Sequence, residues 1–217
     1  MTPRHPQAPE SAEPEPSGWQ AQKSASTRLQ IVEAALRCFV DLGYSGTTTT
    51  VIAEKAGLSR GAMLHHFPSK IDIVRAAVEH LHAKRLKAFR KSIDKMPRDE
   101  TRPRRALDAY LEQVKHPMYV ALLELWIAAR TDPELQAILK PAQEAFESEW
   151  HRTAVDLWPE WTDSGENFDL ALDLVRYVMD GMAVSFLTHE FGDRERRMVT
   201  YLEQRLREIS KPPPGKP

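Results

Sequence analysis

Apolar side chains recur along most of this chain at intervals of three and four residues, which places them on one face of an α-helix. No segment shows the alternation of apolar and polar residues, rich in β-branched side chains, that is typical of a half-buried strand. The pattern therefore predicts an all-α protein.

Residues that start and stop helices divide this pattern into nine predicted helices. Thr48, Ser59 and Ser69 stand where the N-caps of three helices are expected, and Gly43 and Gly57 stand where two helices should end. Prolines separate most of the later helices. The predicted helices cover about residues 27–42, 48–56, 60–66, 70–89, 103–116, 118–130, 133–157, 166–190 and 193–209.

The two ends of the 217-residue chain are poor in large apolar side chains. Residues 1–24 contain five prolines and residues 211–217 contain four, so we expect a disordered arm and a disordered tail. Cys38 is the only cysteine, which argues against a disulfide framework and favours a cytoplasmic protein. The nearly apolar run 118–129 is too short to cross a membrane, and no signal peptide is expected.

Charge is distributed unevenly, although the net charge is only −1. Residues 24–91 hold 11 Lys or Arg and 5 Asp or Glu, a balance of +6, whereas residues 92–217 have a balance of −6. A basic first third on an acidic body suggests that the first third meets a polyanion.

The most informative segment is residues 47–70, TTTTVIAEKAGLSRGAMLHHFPSK. Two short helices joined by the residues around Gly57 give the arrangement that a helix-turn-helix requires, because Gly57 permits a left-handed turn. Thr48 would cap the first helix. Ser59 would cap the second helix and leave its N-terminus, with unpaired N–H groups and a partial positive charge, to face a phosphate.

A recognition helix places its first residues on base edges in the major groove, and here these are Arg60, Gly61 and Ala62. Gly61 and Ala62 are small enough for a close approach to DNA. Arg60 is a candidate for a bidentate hydrogen bond to guanine. The alternatives are a phosphate contact and a solvated side chain.

This segment resembles the DNA-binding signature of the TetR (tetracycline-repressor-like) family of transcriptional regulators. The likeness covers about residues 25–85, and the remainder resembles the family only in being helical and of similar length. It is carried by Thr47-Thr48, Ile52-Ala53, Ala56-Gly57-Leu58-Ser59, Gly61, Phe67 and Ser69-Lys70, preceded by Phe39-Val40-Asp41-Leu42-Gly43-Tyr44.

The resemblance implies a domain organisation and a set of partners. It implies a DNA-binding domain over residues 25–85, with the helix-turn-helix at about 48–67, and an effector-binding and dimerisation domain over residues 86–210. Lys70 would then hold a backbone phosphate, and the last two long helices would form a dimeric four-helix bundle. The implied partners are a palindromic double-stranded DNA operator, a second copy of the chain and a small-molecule effector.

The chain departs from the family at Leu64, where the family usually has a tyrosine that reaches a phosphate. Leucine cannot make this contact, so His65 and His66 are candidates to replace part of it. We expect no metal site at these two histidines, because adjacent residues on a helix do not face one site.

The larger domain offers two groups of candidate residues. Met198, Leu202 and Leu206 form an apolar stripe on the last helix, which we expect to pack against its symmetry mate. A second group is expected to line a mainly apolar effector pocket, with simple core packing as the alternative. These pocket candidates are Met118, Leu122, Trp126, Phe146, Trp150, Met179, Met182 and Phe186.

The sequence shows no nucleophile–base pair, no glycine-rich phosphate loop and no metal cluster, so neither catalysis nor a cofactor is expected. It predicts a homodimeric, ligand-responsive repressor that a small, mainly hydrophobic effector releases from its operator. A structural DNA-binding protein without an effector and an all-α enzyme are the alternatives.

Overall fold

A computed structural model describes residues 18–159 and 166–209, and this part of the chain forms nine helices and no strand. The predicted all-α fold is confirmed. Residues 1–17 of the predicted arm and the predicted tail at 211–217 lie outside the described residues. The helices are α1 (Gly18–Gly46), α2 (Thr49–Lys55), α3 (Arg60–His66), α4 (Lys70–Asp94), α5 (Arg102–Lys115), α6 (Pro117–Ala129), α7 (Pro133–Leu157), α8 (Glu166–Phe186) and α9 (Asp193–Ile209).

Three helices, α2, α3 and α4, begin at the side-chain caps that the sequence predicts. Thr48 accepts a hydrogen bond from the first turn of α2, and Ser59 accepts one from the N–H of Ala62 in α3. Ser69 and Asp72 form a reciprocal capping box at the start of α4. These caps satisfy N–H groups that the helices leave unpaired, and so fix the residues at which α2, α3 and α4 begin.

Helix α1 is longer than the sequence predicts. It begins at Gly18, so residues 18–24 of the predicted disordered arm are helical. Gln, Ala and Lys favour helix even where nothing is buried, which explains the extension. Gly43 breaks the helix as expected, with a φ of 70°. The buried face of α1 includes Val32, Leu36 and Phe39, whereas Leu29 is exposed.

Two interlocked parts make up the described fold. The head comprises α1, α2, α3 and the first half of α4, and the body comprises the remaining helices. Because α4 is one continuous helix, the predicted boundary after residue 85 falls inside it. The head core consists mainly of Ile31, Phe39, Ile52, Met63, Phe67, Ile73 and Ala77.

Helix α6 connects the head to the body. It is apolar on nearly all sides and packs chiefly against α1 and α7. Its apolar sides therefore serve both parts, and Ile127 remains exposed. Helix α8, which ends four residues before its predicted end, packs on α5 and α9. Within the described residues, no helix is long and apolar enough to span a membrane.

Candidate DNA-binding surface and regulatory body

The turn between α2 and α3 has the geometry of a helix-turn-helix. Gly57 adopts a φ of 67°, and its N–H donates to the carbonyl of Glu54 at 3.0 Å. The N–H of Leu58 donates to the carbonyl of Ala53 at 2.9 Å, and the Leu58 side chain packs half-buried against the core. A residue with a side chain is strained at this φ, so glycine is needed here.

Helix α3 has one buried face and one exposed face. Met63 and the following Phe67 are buried in the head core. Arg60, Gly61 and Ala62 are exposed at the N-terminal end of the helix. The predicted base-reading residues therefore lie together on the surface, and the capped N-terminus of α3 opens beside them.

Two side chains of α1 hold the helix-turn-helix in place, and sequence reasoning missed both. Arg28 donates to the carbonyl of His66 at 2.5 Å, and its guanidinium lies 4.0 Å from the ring centroid of Phe67. Gln30 donates to the carbonyl of Ala56 at 2.6 Å. These bonds satisfy carbonyls at the C-terminal ends of α3 and α2, which have no intrahelical partner.

The three residues that follow Met63 have different surroundings. Leu64 packs half-buried against the core, so its side chain is not presented to a phosphate. His65 is exposed, whereas His66 is half-buried. Burial, followed by the nearby His65 and Arg28, lowers the pKa of His66. The phosphate contact of His66 stays a prediction.

Lys70 has an intramolecular contact that the sequence did not indicate. Its Nζ donates to the carbonyl of Tyr44 at 2.6 Å and lies 3.6 Å from the centroid of the Tyr44 ring. Burial lowers the pKa of this ammonium group. Lys70 thus ties the start of α4 to the end of α1, and its predicted phosphate contact stays a prediction.

Tyr44 also joins the head to the body. Its N–H donates to Oε2 of Glu124 on α6 at 3.4 Å, and its hydroxyl donates to Oδ2 of Asp132 at 3.5 Å. Asp132 is the N-cap of α7. Burial and the neighbouring Asp132 raise the pKa of Tyr44. One residue of the head therefore contacts α4, α6 and the start of α7.

The predicted dimer stripe on α9 is wrong for two of its three residues. Leu202 is 1% exposed and Leu206 is 5% exposed within a single chain, so neither offers surface to a second copy. They face inward because α9 packs against α5 and α8. Met198 is 43% exposed and remains available.

The predicted effector residues do not come together in one pocket. Leu122 and Met179 are fully buried core residues. Trp150 lines a cavity of about 50 Å³ between α4, α5, α7, α8 and α9, whereas Phe146 and Met118 line two other cavities. None of these three cavities is lined by Trp126, Met182, Phe186 or the two core residues. The helical pattern identified apolar positions, but it could not show which of them pack directly together.

The chain has relatives among known regulators. Residues 31–77 match the family described as bacterial regulatory proteins, tetR family. An uncharacterized HTH-type transcriptional regulator of Mycobacterium tuberculosis (strain ATCC 25618 / H37Rv) is 27% identical over 165 residues, which is 76% of this chain and 85% of that protein. The HTH-type transcriptional regulator CymR of Pseudomonas putida is 30% identical over 117 residues, which is 54% of this chain and 58% of that protein.

Solved structures show the same architecture. A crystal structure described as that of a TetR-family transcriptional regulator from Mesorhizobium loti aligns with a TM-score of 0.64 at 16% identity, covering 87% of this chain and 95% of that one. This likeness supports the fold. The family match and the named relatives are regulators and not enzymes. The helix-turn-helix geometry, the segment matched at residues 31–77 and the helical body together support a transcriptional regulator similar to those of the tetR family.

Proposed function

We propose that the protein is a homodimeric repressor that holds a palindromic operator with its two copies of α3. A small, mainly apolar molecule bound in the body releases it. The observation that carries the DNA contact is Gly61. A Cβ at this position would meet no atom within 4 Å, so the fold does not require glycine here. Glycine in a helix costs up to about 1 kcal/mol relative to alanine, so the gap serves an outside partner.

The exposed residues around Gly61 divide into two roles. Arg60 bonds a guanine edge with both arms of its guanidinium, and Ala62 permits the close approach of the groove. Phosphates flanking the site bind near Thr48 and Ser59, where the N-termini of α2 and α3 present N–H groups.

Three further side chains are proposed to contact the DNA backbone. His65 and His66 directly follow Leu64, which stands where the family usually has a tyrosine. Lys70 uses one of its three N–H donors on Tyr44, which leaves two for a phosphate. Such contacts strengthen binding to all sequences alike, and the positive charge of Lys70 adds to its salt dependence.

A different apolar stripe replaces the predicted dimer interface. Leu170, Tyr177 and Val184 on α8 are each at least half exposed and recur every seven residues, which is the repeat of a seam between packed helices. Met198 and Tyr201 on α9 are also exposed. These five residues are the dimer seam, and a second copy related by a two-fold axis would cover them.

The proposed switch acts through Tyr44. Helix α4 reaches Tyr44 through Lys70, and α6 reaches it through Glu124. A molecule that binds between body helices and favours one arrangement of α4 and α6 therefore alters the placement of α1 and the helices it holds. The separation of the two α3 helices changes, and operator affinity falls by the difference in effector affinity between the two states.

Substitution in the dimer seam tests this function. Val184→Glu changes a side chain that is 50% exposed in the single chain, so the protomer should fold and sediment as a monomer. Its affinity for a palindromic operator should fall to that of a half-site. Ile127→Glu is the matched control, because Ile127 is an exposed apolar residue on α6 outside the seam. A Val184→Glu dimer with intact operator binding would overturn the proposed assembly.

A further inference from the structure

The body contains a buried positive charge that no acid neutralises directly. Arg85 on α4 is 8% exposed. Its guanidinium carbon lies 4.6 Å from the ring centroid of Tyr119 and 4.7 Å from that of Phe146, so the group is held between two aromatic rings. Within the described residues, no carboxylate lies within 4.0 Å of it. Its side chain hydrogen-bonds that of Tyr110, whereas its Nε has no hydrogen-bond partner.

Asp180 interacts electrostatically with Arg85, but its carboxylate is also engaged elsewhere. Its Oδ1 accepts a hydrogen bond from the hydroxyl of Tyr119. Burial raises the pKa of Asp180, and its hydrogen bond with Tyr119 and the nearby Arg85 lower it. An arginine cannot lose its proton to escape the cost of burial. The two rings, Tyr110 and the nearby Asp180 offset part of that cost, and an anion bound directly to the guanidinium would offset more of it.

A pocket of about 270 Å³ opens beside Arg85, between α4, α5 and α6. Leu81, Met118 and Tyr119 give it apolar walls, and the exposed Lys84 adds a second cation. Glu112, also exposed, is the acid in its lining. Its volume lies just below the range of about 300–1,000 Å³ that is usual for small-molecule sites, so the pocket suits a compound of one ring.

We propose that this pocket binds a small organic monocarboxylate with a flat apolar body, and that such a compound is the effector. This inference rests on the proposed ligand-responsive function. The carboxylate accepts two N–H bonds from Arg85, which is the geometry that guanidinium and carboxylate groups share. The apolar body lies against Met118 and Tyr119. The effector is therefore mainly apolar, as the sequence predicts, but anionic at one end.

The position of the pocket connects it to DNA. Arg85 lies on the same helix as Lys70, and Met118 and Tyr119 lie on the same helix as Glu124. Lys70 and Glu124 both contact the backbone of Tyr44, Lys70 at its carbonyl and Glu124 at its N–H. A carboxylate that draws α4 and α6 together at the pocket acts on both contacts at once.

Thermal shift and titration calorimetry with matched probes test the proposal. The probes are benzoate, phenylacetate and hexanoate, each paired with its neutral amide. At least one carboxylate should bind the DNA-free protein saturably and at least tenfold tighter than its amide. Arg85→Met should lower that affinity by about 10- to 100-fold, and Arg85→Lys by less. Lys87→Met, which removes an exposed charge on the same helix outside the pocket lining, should change it by less than about threefold.

The outcomes separate this inference from the function on which it rests. The inference is overturned if no carboxylate is preferred over its amide, or if Arg85→Lys and Arg85→Met bind carboxylates like the unaltered protein. If Arg85→Met does not fold, the comparison of acid with amide and the Arg85→Lys variant decide the question. Carboxylate binding at Arg85 without release of operator would keep the site and remove its regulatory role. If a neutral compound released operator equally well from the unaltered protein and from the Arg85 variants, this result would keep the repressor function and refute this pocket.

Discussion

Replacement of Gly61 by alanine should make the protein more stable and a weaker DNA binder. Gly61 is the second residue of α3, with helical backbone geometry and no atom within 4 Å of the position that a Cβ would take. A methyl group therefore fits the free protein without strain. Gly→Ala at such a site stabilises by about 0.4–1 kcal/mol, because it reduces the freedom of the unfolded chain. For a protein of this size the gain raises Tm by about 1–4 °C.

The effect on DNA has the opposite sign if Gly61 lies against a groove. A methyl group forced into a well-packed contact costs about 1–3 kcal/mol, and a homodimer makes the contact twice. We therefore expect operator affinity to fall by about 30-fold or more, since about 1.4 kcal/mol corresponds to a factor of ten. Urea unfolding of the DNA-free protein and fluorescence anisotropy of a labelled operator measure the two changes separately.

Gly57→Ala is the matched control. No atom lies within 4 Å of its Cβ position either, but its φ of 67° is unfavourable for alanine. The same substitution should therefore destabilise the protein by about 1 kcal/mol at residue 57 and stabilise it at residue 61. A Gly61→Ala protein with unchanged or higher operator affinity, or with lower stability, would refute the reasoning.

Four further substitutions have expected outcomes. Burial lowers the pKa of His82 to about 4, whereas the unfolded chain takes up the proton near 6.5. Between these pH values the unfolded state binds more protons, so the free energy of unfolding should fall by up to about 3 kcal/mol as the pH drops from 6.5 to 4. His82→Gln should remove that loss in urea titrations at each pH. Leu202→Glu places a charge in the core of a single chain and should unfold the protomer by circular dichroism, rather than release folded monomers. Lys70→Met should lower both the free energy of unfolding and the salt slope of DNA binding; a changed slope without a stability loss would mean that the bond to Tyr44 contributes nothing. Glu124→Gln should leave operator affinity within about threefold but reduce the response to effector in anisotropy, and an unaltered response would remove Glu124 from the switch.

Local signals predicted the head because its caps and turns depend on neighbours in the sequence. Thr48, Ser59 and Ser69 accept bonds from N–H groups three residues later, and Gly57 needs only its own backbone geometry. Such signals are visible without a fold. Arg28, in contrast, bonds a carbonyl 38 residues away, and no spacing in the sequence indicates this contact.

The body was harder to predict because an apolar stripe does not say what covers it. Leu202 and Met198 both fit the helical period of α9, yet one lies in the core and the other on the surface. In the sequence, Arg85 is indistinguishable from a solvated charge on a helix. In the structure, its guanidinium lies against the rings of Tyr119 and Phe146. The packing of distant helices decides both cases, and periodicity carries no information about it.

The most direct test of the account is selection of genomic DNA fragments by the purified protein and by its Ala62→Asp variant. Ala62 is exposed at the third position of α3, where an aspartate suits the helix N-terminus, so the variant should fold and dimerise normally. Its carboxylate would face the phosphates and base edges that we assign to α3. The account predicts that the unaltered protein enriches a small set of fragments sharing an inverted repeat, and that Ala62→Asp enriches none. Equal enrichment by the two proteins, or no enrichment by either, would contradict it.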